Sequence, residues 1–193
     1  VPMKHHVKEF ELILDPAAER KIWCWTVASK IEISGLGVLE SSRGHLAIPN
    51  KVWLPSQAGS FGHTELDDDA VAELQVKCAK AGQRLGFHFH SHGRMEAFFS
   101  GLDDLNFSRL SKFGTPFVAA VFNVHGQVQW RVCTSNQTLI EWKSVIEGED
   151  PSKDELAAAA AEVKQAVREE SWLADLPKWF GGPQRTSRRR FSE

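Results

Sequence analysis

The sequence contains no Cys-x-x-Cys pair. Its three cysteines, Cys24, Cys78 and Cys133, are odd in number and far apart, which argues against a disulfide framework and against a structural zinc site built from thiolates. A reducing compartment, the cytoplasm, is the expectation. There is no run of about 18 apolar residues, and the start of the chain lacks the basic-then-apolar order of a signal peptide. Charge of one sign is missing too. A formal net charge of -2, with 25% charged residues, gives no global field that would single out nucleic acid or a membrane as partner. Internal repeats are absent. His5 and His6 are set aside as a solvated terminal pair.

At 193 residues the chain suits one well-buried domain with decorations. Asp15-Pro16 has the form of an N-cap followed by proline at the first helical position, which predicts a helix toward Ser29. Ile31 to Leu39, branched and apolar with two glycines, reads as a strand, and Leu46 to Trp53 is expected to pair with it. Thr64-x-x-Asp67 has the capping-box form, and Leu66, Ala70, Leu74 and Cys78 recur every fourth residue before Gly82, predicting an amphipathic helix. Leu85 to Phe89 reads as a buried strand running into His90-Ser91-His92, followed by a helix from about Leu102 to Phe113 that Gly114-Thr115-Pro116 stops.

Phe117 to Val124 is a continuous apolar strand, and His125-Gly126 suits a tight turn. Val128, Trp130 and Val132 then alternate with Gln127, Gln129 and Arg131, predicting a hairpin buried on one face. A strand is expected over Thr138 to Ile146. After it, Asp150-Pro151 should start a surface helix with the stripe Leu156, Ala160, Val163 and Val167. From Leu173 onward, Trp179-Phe180, Gly181-Gly182-Pro183 and the basic run Arg185 to Arg190 show no periodicity and read as a solvated tail.

Two histidines at i and i+2 on a strand share a face, so His90 and His92 can aim both rings at one point. A catalytic zinc ion typically takes three protein ligands from His and Asp or Glu and keeps a fourth position open, and Asp103 is the nearest strong candidate for the third. Each piece alone has an ordinary explanation. Ser100-x-x-Asp103 is a helix capping box, Glu32 a polar strand residue, and His-x-His on a strand more often a hydrogen-bonded pair than a ligand set. His90, His92 and Glu96 also have the local spacing of a cupin-type metal oxygenase, but the legible helices do not suit a jelly roll. A zinc deaminase would need His-x-Glu and Pro-Cys-x-x-Cys, and neither is present.

The spacing His90-Ser91-His92, seven residues, Ser100, two residues, Asp103 resembles the signature of the JAMM (MPN-plus, JAB) zinc metallopeptidases. The segment GRMEAFFSGLDD, with Met95, Phe99 and Gly101, is similar to the bacterial and phage-type branch, and Glu32 in EISGLG sits where that family carries its acidic residue. The resemblance covers about residues 15 to 145. It implies an α/β fold, the MPN (JAB) domain, with a curved mixed sheet flanked by helices in a cytidine-deaminase-like architecture. By it, residues 1–147 form the catalytic domain, 148–172 a helix packed on it and 173–193 a tail.

The resemblance also implies Zn²⁺ held by His90, His92 and Asp103, with Glu32 as general base and Ser100 donating a hydrogen bond to the oxyanion. Glu40 is the fallback base, and His88 is expected to pack or to support the ligands. The implied substrate is a ubiquitin-like protein or its conjugates, cut at the C-terminal tail. Activating and conjugating enzymes of the same operon are implied as partners, in a bacterial antiphage conjugation system. The alternative within the same fold is a non-catalytic scaffold module, against which the intact set Glu32, His90, His92, Ser100 and Asp103 argues.

Overall fold

A computed structural model describes residues 10–60, 62–112, 114–134 and 138–169, and the backbone of 3–7. The tail, with Trp172, Trp179 and its arginines, lies outside the described residues. The chain opens with a hairpin that the sequence reading did not anticipate, β1 (Met3–Val7) against β2 (Phe10–Leu14). Helix α1 (Pro16–Ala28) starts as expected, with the Asp15 carboxylate accepting from the backbone N–H of Ala17 at 2.8 Å and Ala18 at 3.3 Å. There follow β3 (Ser34–Val38), β4 (Glu40–Ser42), β5 (His45–Ile48), β6 (Val52–Trp53), β7 (Gln57–Gly59) and β8 (Thr64–Leu66). Helix α2 (Asp68–Lys80), β9 (Leu85–Ser91) and α3 (Gly101–Ser111) come next, then β10 (Phe117–Phe122), β11 (Gln127–Cys133), β12 (Leu139–Val145), α4 (Lys153–Ala166) and β13 (Val167–Glu169).

The result is a mixed α/β protein. Its main sheet has six strands in the order β12-β11-β10-β9-β3-β6, in which β9 and β10 are parallel and the other neighbours antiparallel. Because side chains alternate across a strand, Phe87 and Phe89 of β9 face α1 and join Ile22, Trp25, Phe122 and Trp130 in the main core. Trp25 stacks on Phe89 with ring centres 6.0 Å apart. Helix α4 packs outside α1, tied by the Arg20–Glu155 ion pair at 2.7 Å and by Trp25 Nε1 donating to Glu162 at 2.8 Å. On the opposite face of the sheet, α3 rests on a small second cluster of Phe107, Phe117 and Ala119. No helix among the described residues is long and apolar enough to cross a membrane.

Several boundaries differ from the sequence reading for identifiable reasons. The expected strand Leu46 to Trp53 is split at Pro49: β5 pairs with β2 and β4, and only β6 pairs with β3. Thr64 does not cap α2. It lies in β8 and its hydroxyl donates to Gln57 Oε1 at 2.9 Å, while Asp67 caps the helix by accepting from Ala70 N at 2.9 Å. Helix α4 is capped by Ser152, in a capping box with Glu155, rather than started by Asp150-Pro151. Ala159 is its buried alanine instead of Ala160, and Val167 has left the helix for β13. The β10–β11 hairpin is buried on both faces, with Gln129 and Arg131 only 8% and 7% exposed.

Candidate metal centre

His88 and His90 point away from Phe87 and Phe89, toward α3, and His92 just past the strand end has the same parity. The turn is held by His92 N–H donating to Phe122 O at 2.9 Å and Met95 N–H donating to His92 O at 2.9 Å, with Gly93 at φ +52° supplying the left-handed residue. The chain then reaches Ser100, which caps α3 in a capping box with Asp103. In this way residues on two elements converge on one point.

His90 Nε2 lies 3.2 Å from His92 Nε2 and 3.2 Å from Asp103 Oδ1, and the three candidate ligand atoms all fall within 4.8 Å of one another. His92 Nδ1 donates to the Glu96 carbonyl at 3.1 Å, which leaves the Nε2 lone pair facing inward. Asp103 is oriented in the same manner. Its Oδ2 accepts from Ser100 N at 2.7 Å and Ser100 Oγ at 2.6 Å, leaving Oδ1 to the histidines. His90 Nε2 therefore faces two acceptors with at most one proton to offer. His90 and His92 are 3% and 5% exposed, and His90 Nδ1 is buried without a hydrogen-bond partner among the described residues. Converging lone pairs in so dry a place repel unless a cation sits among them, so the residues fit a metal. Two imidazoles and one carboxylate suit zinc and also other first-row divalent ions.

The electrostatics point the same way. Burial would raise the Asp103 pKa, but the His90 contact and the Ser100 hydrogen bonds outweigh it and hold the carboxyl well below its usual range. Burial, then the neighbouring His90, lowers His92, which favours the neutral ring a metal needs. Half-buried His88 is pushed down to about 3 by burial and by His90, and its ring centre is 5.8 Å from that of His90. Glu32 moves in the other direction. Burial, then the charge of Asp103, raises it to about 7.

Glu32 stands just before β3, in a stretch expected to be strand but pinned by other groups. Glu32 N–H donates to Ser60 O at 2.9 Å, Ile33 N–H to Ser91 Oγ at 3.1 Å and Ser34 N–H to Gln57 Oε1 at 2.8 Å. Gln57, fully buried, also donates through Nε2 to Ser34 O at 2.8 Å and Pro55 O at 3.1 Å, tying β3 to β7. Nothing near Gln57 in the sequence marks it, because its partners lie on other elements.

All five expected site residues, Glu32, His90, His92, Ser100 and Asp103, line one concavity of about 150 Å³. Glu40 does not join them. It is exposed on β4, because the chain turns away after β3. The Glu96 carboxylate is also exposed and lies 3.3 Å from Lys143 Nζ, so the cupin-like set of His90, His92 and Glu96 does not assemble. A larger cleft of about 470 Å³ adjoins the site, sharing Ser34, His63, Thr64, His88 and Asn106 with it and running between β8, α2 and α3. Fold and site together define a mixed α/β protein with a buried His-His-Asp centre beside a raised-pKa carboxyl. No family profile and no curated protein sequence matches the chain.

Proposed function

We propose that the chain is a zinc metallopeptidase of the JAMM type, built on an MPN domain, that hydrolyses an amide or isopeptide bond at the C-terminal tail of a ubiquitin-like protein. The observation that carries the reading is the convergence of His90, His92 and Asp103 within 4.8 Å, with Glu32 in the same concavity. Zinc, when bound, supplies Lewis acidity and brings the pKa of a coordinated water from 15.7 to about 7.

The chain's own groups do the rest. Glu32, in the same concavity and raised to about 7 in the metal-free protein, takes a proton from the attacking water and returns it to the leaving amine. The Glu96 carbonyl fixes the His92 tautomer, and Ser100 fixes the Asp103 carboxylate. Because the Ser100 hydroxyl donates to Asp103 Oδ2, it stabilises an oxyanion only by rotating toward the substrate. The adjoining cleft suits an extended tail. One wall is β8, an edge strand of the three-stranded sheet, to which a peptide can add by backbone hydrogen bonds. The ubiquitin-like partner, the operon-encoded activating and conjugating enzymes, the antiphage setting and the cytoplasmic location follow from the resemblance and form part of this proposal.

The test is cleavage of a panel of ubiquitin-like proteins fused through their C-termini to a reporter. Wild type should cut at least one fusion, and chelation should abolish the cut. Glu32→Gln should slow it by roughly 10²–10⁴-fold. A zinc-loaded protein that cuts no fusion would favour the scaffold reading.

A further inference from the structure

We infer that Arg131 is a positioning residue for the metal centre, clamping both ends of the segment that delivers Asp103. This rests on the metal-ligand reading of His90, His92 and Asp103, and not on peptidase activity. Of the three ligands, His90 sits in β9, inside the main sheet, and His92 just past its end. The third arrives on α3, which buries only Phe107 and leaves Leu102 and Leu105 58% and 69% exposed. A helix so lightly embedded does not fix a ligand to a few tenths of an ångström through its own packing.

Arg131 supplies the missing constraint. It extends from β11 toward α3, and although charged it is 7% exposed. Its Nη1 donates to Asp104 Oδ1 at 2.6 Å, and its Nε donates to Glu141, the residue opposite it on β12. The guanidinium carbon also lies 4.1 Å from the ring centre of Phe99 and 5.3 Å from that of Phe107. Asp104 directly follows Asp103, and Phe99 directly precedes Ser100, so the guanidinium grips the capping box from both sides. Phe99 in turn sets its ring against His90, at 6.2 Å between centres and edge to face. One side chain thereby couples the helix-borne ligand to a strand-borne one. Ion pairs whose carboxylates stand 59% and 40% exposed are a weak source of stability. The value of Arg131 here is geometric: the rigid planar fork can bond two carboxylates and stack on a ring at once.

The test uses the full chain, with zinc affinity measured by chelator competition and the site geometry read from the visible absorption of the Co²⁺-loaded protein. The wild type is measured first, and failure to bind zinc would overturn the ligand reading and this inference together. If wild type binds, Arg131→Met should weaken zinc by roughly 10–100-fold, the range for groups that orient ligands, and should change the cobalt spectrum. Asp104→Asn should weaken it by a smaller factor, and the double variant should be no worse than Arg131→Met alone. Arg131→Lys, which keeps the charge but loses the fork, should recover only part of the affinity. The Asp104 side chain is 59% exposed, so Asp104→Asn decides the matter should Arg131→Met fail to fold. Zinc affinity and cobalt spectrum equal to wild type in these variants, with only the melting temperature changed, would overturn the positioning role.

Discussion

The division of labour between the two oxygens of Asp103 decides how the site responds to mutation. Oδ1 faces the histidines and Oδ2 is held by Ser100. On the proposed zinc reading, Asp103→Ala removes a ligand outright and should nearly abolish zinc binding. Ser100→Ala removes the hydroxyl bond but keeps the backbone N–H on Oδ2, and should cost about tenfold in affinity, the low end for groups that orient ligands. Equal losses in a chelator titration would show that Ser100 acts through the helix cap alone. Glu32 has a pH signature in the metal-free protein. Its folded pKa is raised from 4.5 to about 7, so the stability it contributes is complete below about 4.5 and is lost as pH rises through 7. His88 and His92, with lowered folded values, act oppositely: their contribution is present above about 6.5 and is lost as pH falls. The informative quantity is therefore a difference. The melting temperature of Glu32→Gln minus that of wild type, in chelator, should become more positive from pH 5 to pH 7.5. A difference that stays flat would mean that Glu32 is not held protonated by its surroundings. Four of the five candidate site residues were legible in the sequence because they stand at a fixed spacing along one short stretch, and Glu32 was added by the resemblance. Gln57 and Arg131 were not, since one is defined by bonds to other elements and the other follows an alternation that reads as solvent-facing.

At the scale of elements, β3 carries the Glu32 segment past the histidines, and its approach to β9 depends on glycine. Gly35 is paired with Phe89 and Gly37 with Phe87, and the aromatic rings lie across the space that their side chains would fill. A Cβ at Gly35 would stand 2.1 Å from Phe89 Cζ and 2.6 Å from Trp53 O. Phe89 is fully buried and stacked on Trp25, so it has little room to retreat. Gly35→Ala should destabilise the fold by about 1–3 kcal/mol, the usual cost of overpacking, read as a lower urea midpoint. A midpoint equal to wild type would mean that the ring relocates freely. The elements legible in the sequence were those with local signals: the Asp15 cap, the apolar run of β10, and the Ser100 start of α3. The β1–β2 hairpin and the β7–β8 pair that takes in Thr64 join neighbours in the chain, but their strands are too short or too polar to show a periodicity, while the split at Pro49 follows from β5 pairing with β2 and β6 with β3.

For the molecule as a whole, the candidate metal centre and the cleft beside it share β9 and α3 but differ in their remaining walls, so a change confined to α2 should affect the cleft alone. The centre depends on β9, the turn after it and the first turn of α3. The cleft depends on the β7–β8 hairpin and α2, which buries only Cys78 and turns Val71, Ala72 and Gln75 toward the open space. The recurrence of Leu66, Ala70, Leu74 and Cys78 at every fourth residue reads in the sequence as an amphipathic helix. Instead, its broad exposure makes it one wall of the cleft, a role legible only once β8 and α3 are placed opposite. Ala72 is exposed, so a large side chain there can fill the cleft without disturbing the core. In a reporter-fusion assay Ala72→Trp should raise KM by about tenfold or more, as expected for losing at least 1.4 kcal/mol of tail binding. Its zinc affinity should stay within about twofold of wild type, because the proposed ligands and the groups that orient them lie on β9, the turn after it, α3 and β11. An unchanged KM would place the substrate tail outside this cleft, on the exposed apolar side of the site formed by Met95, Phe98 and Leu102. Loss of zinc binding would instead mean that α2 and α3 move as one unit, and that cleft and centre are a single mechanical element.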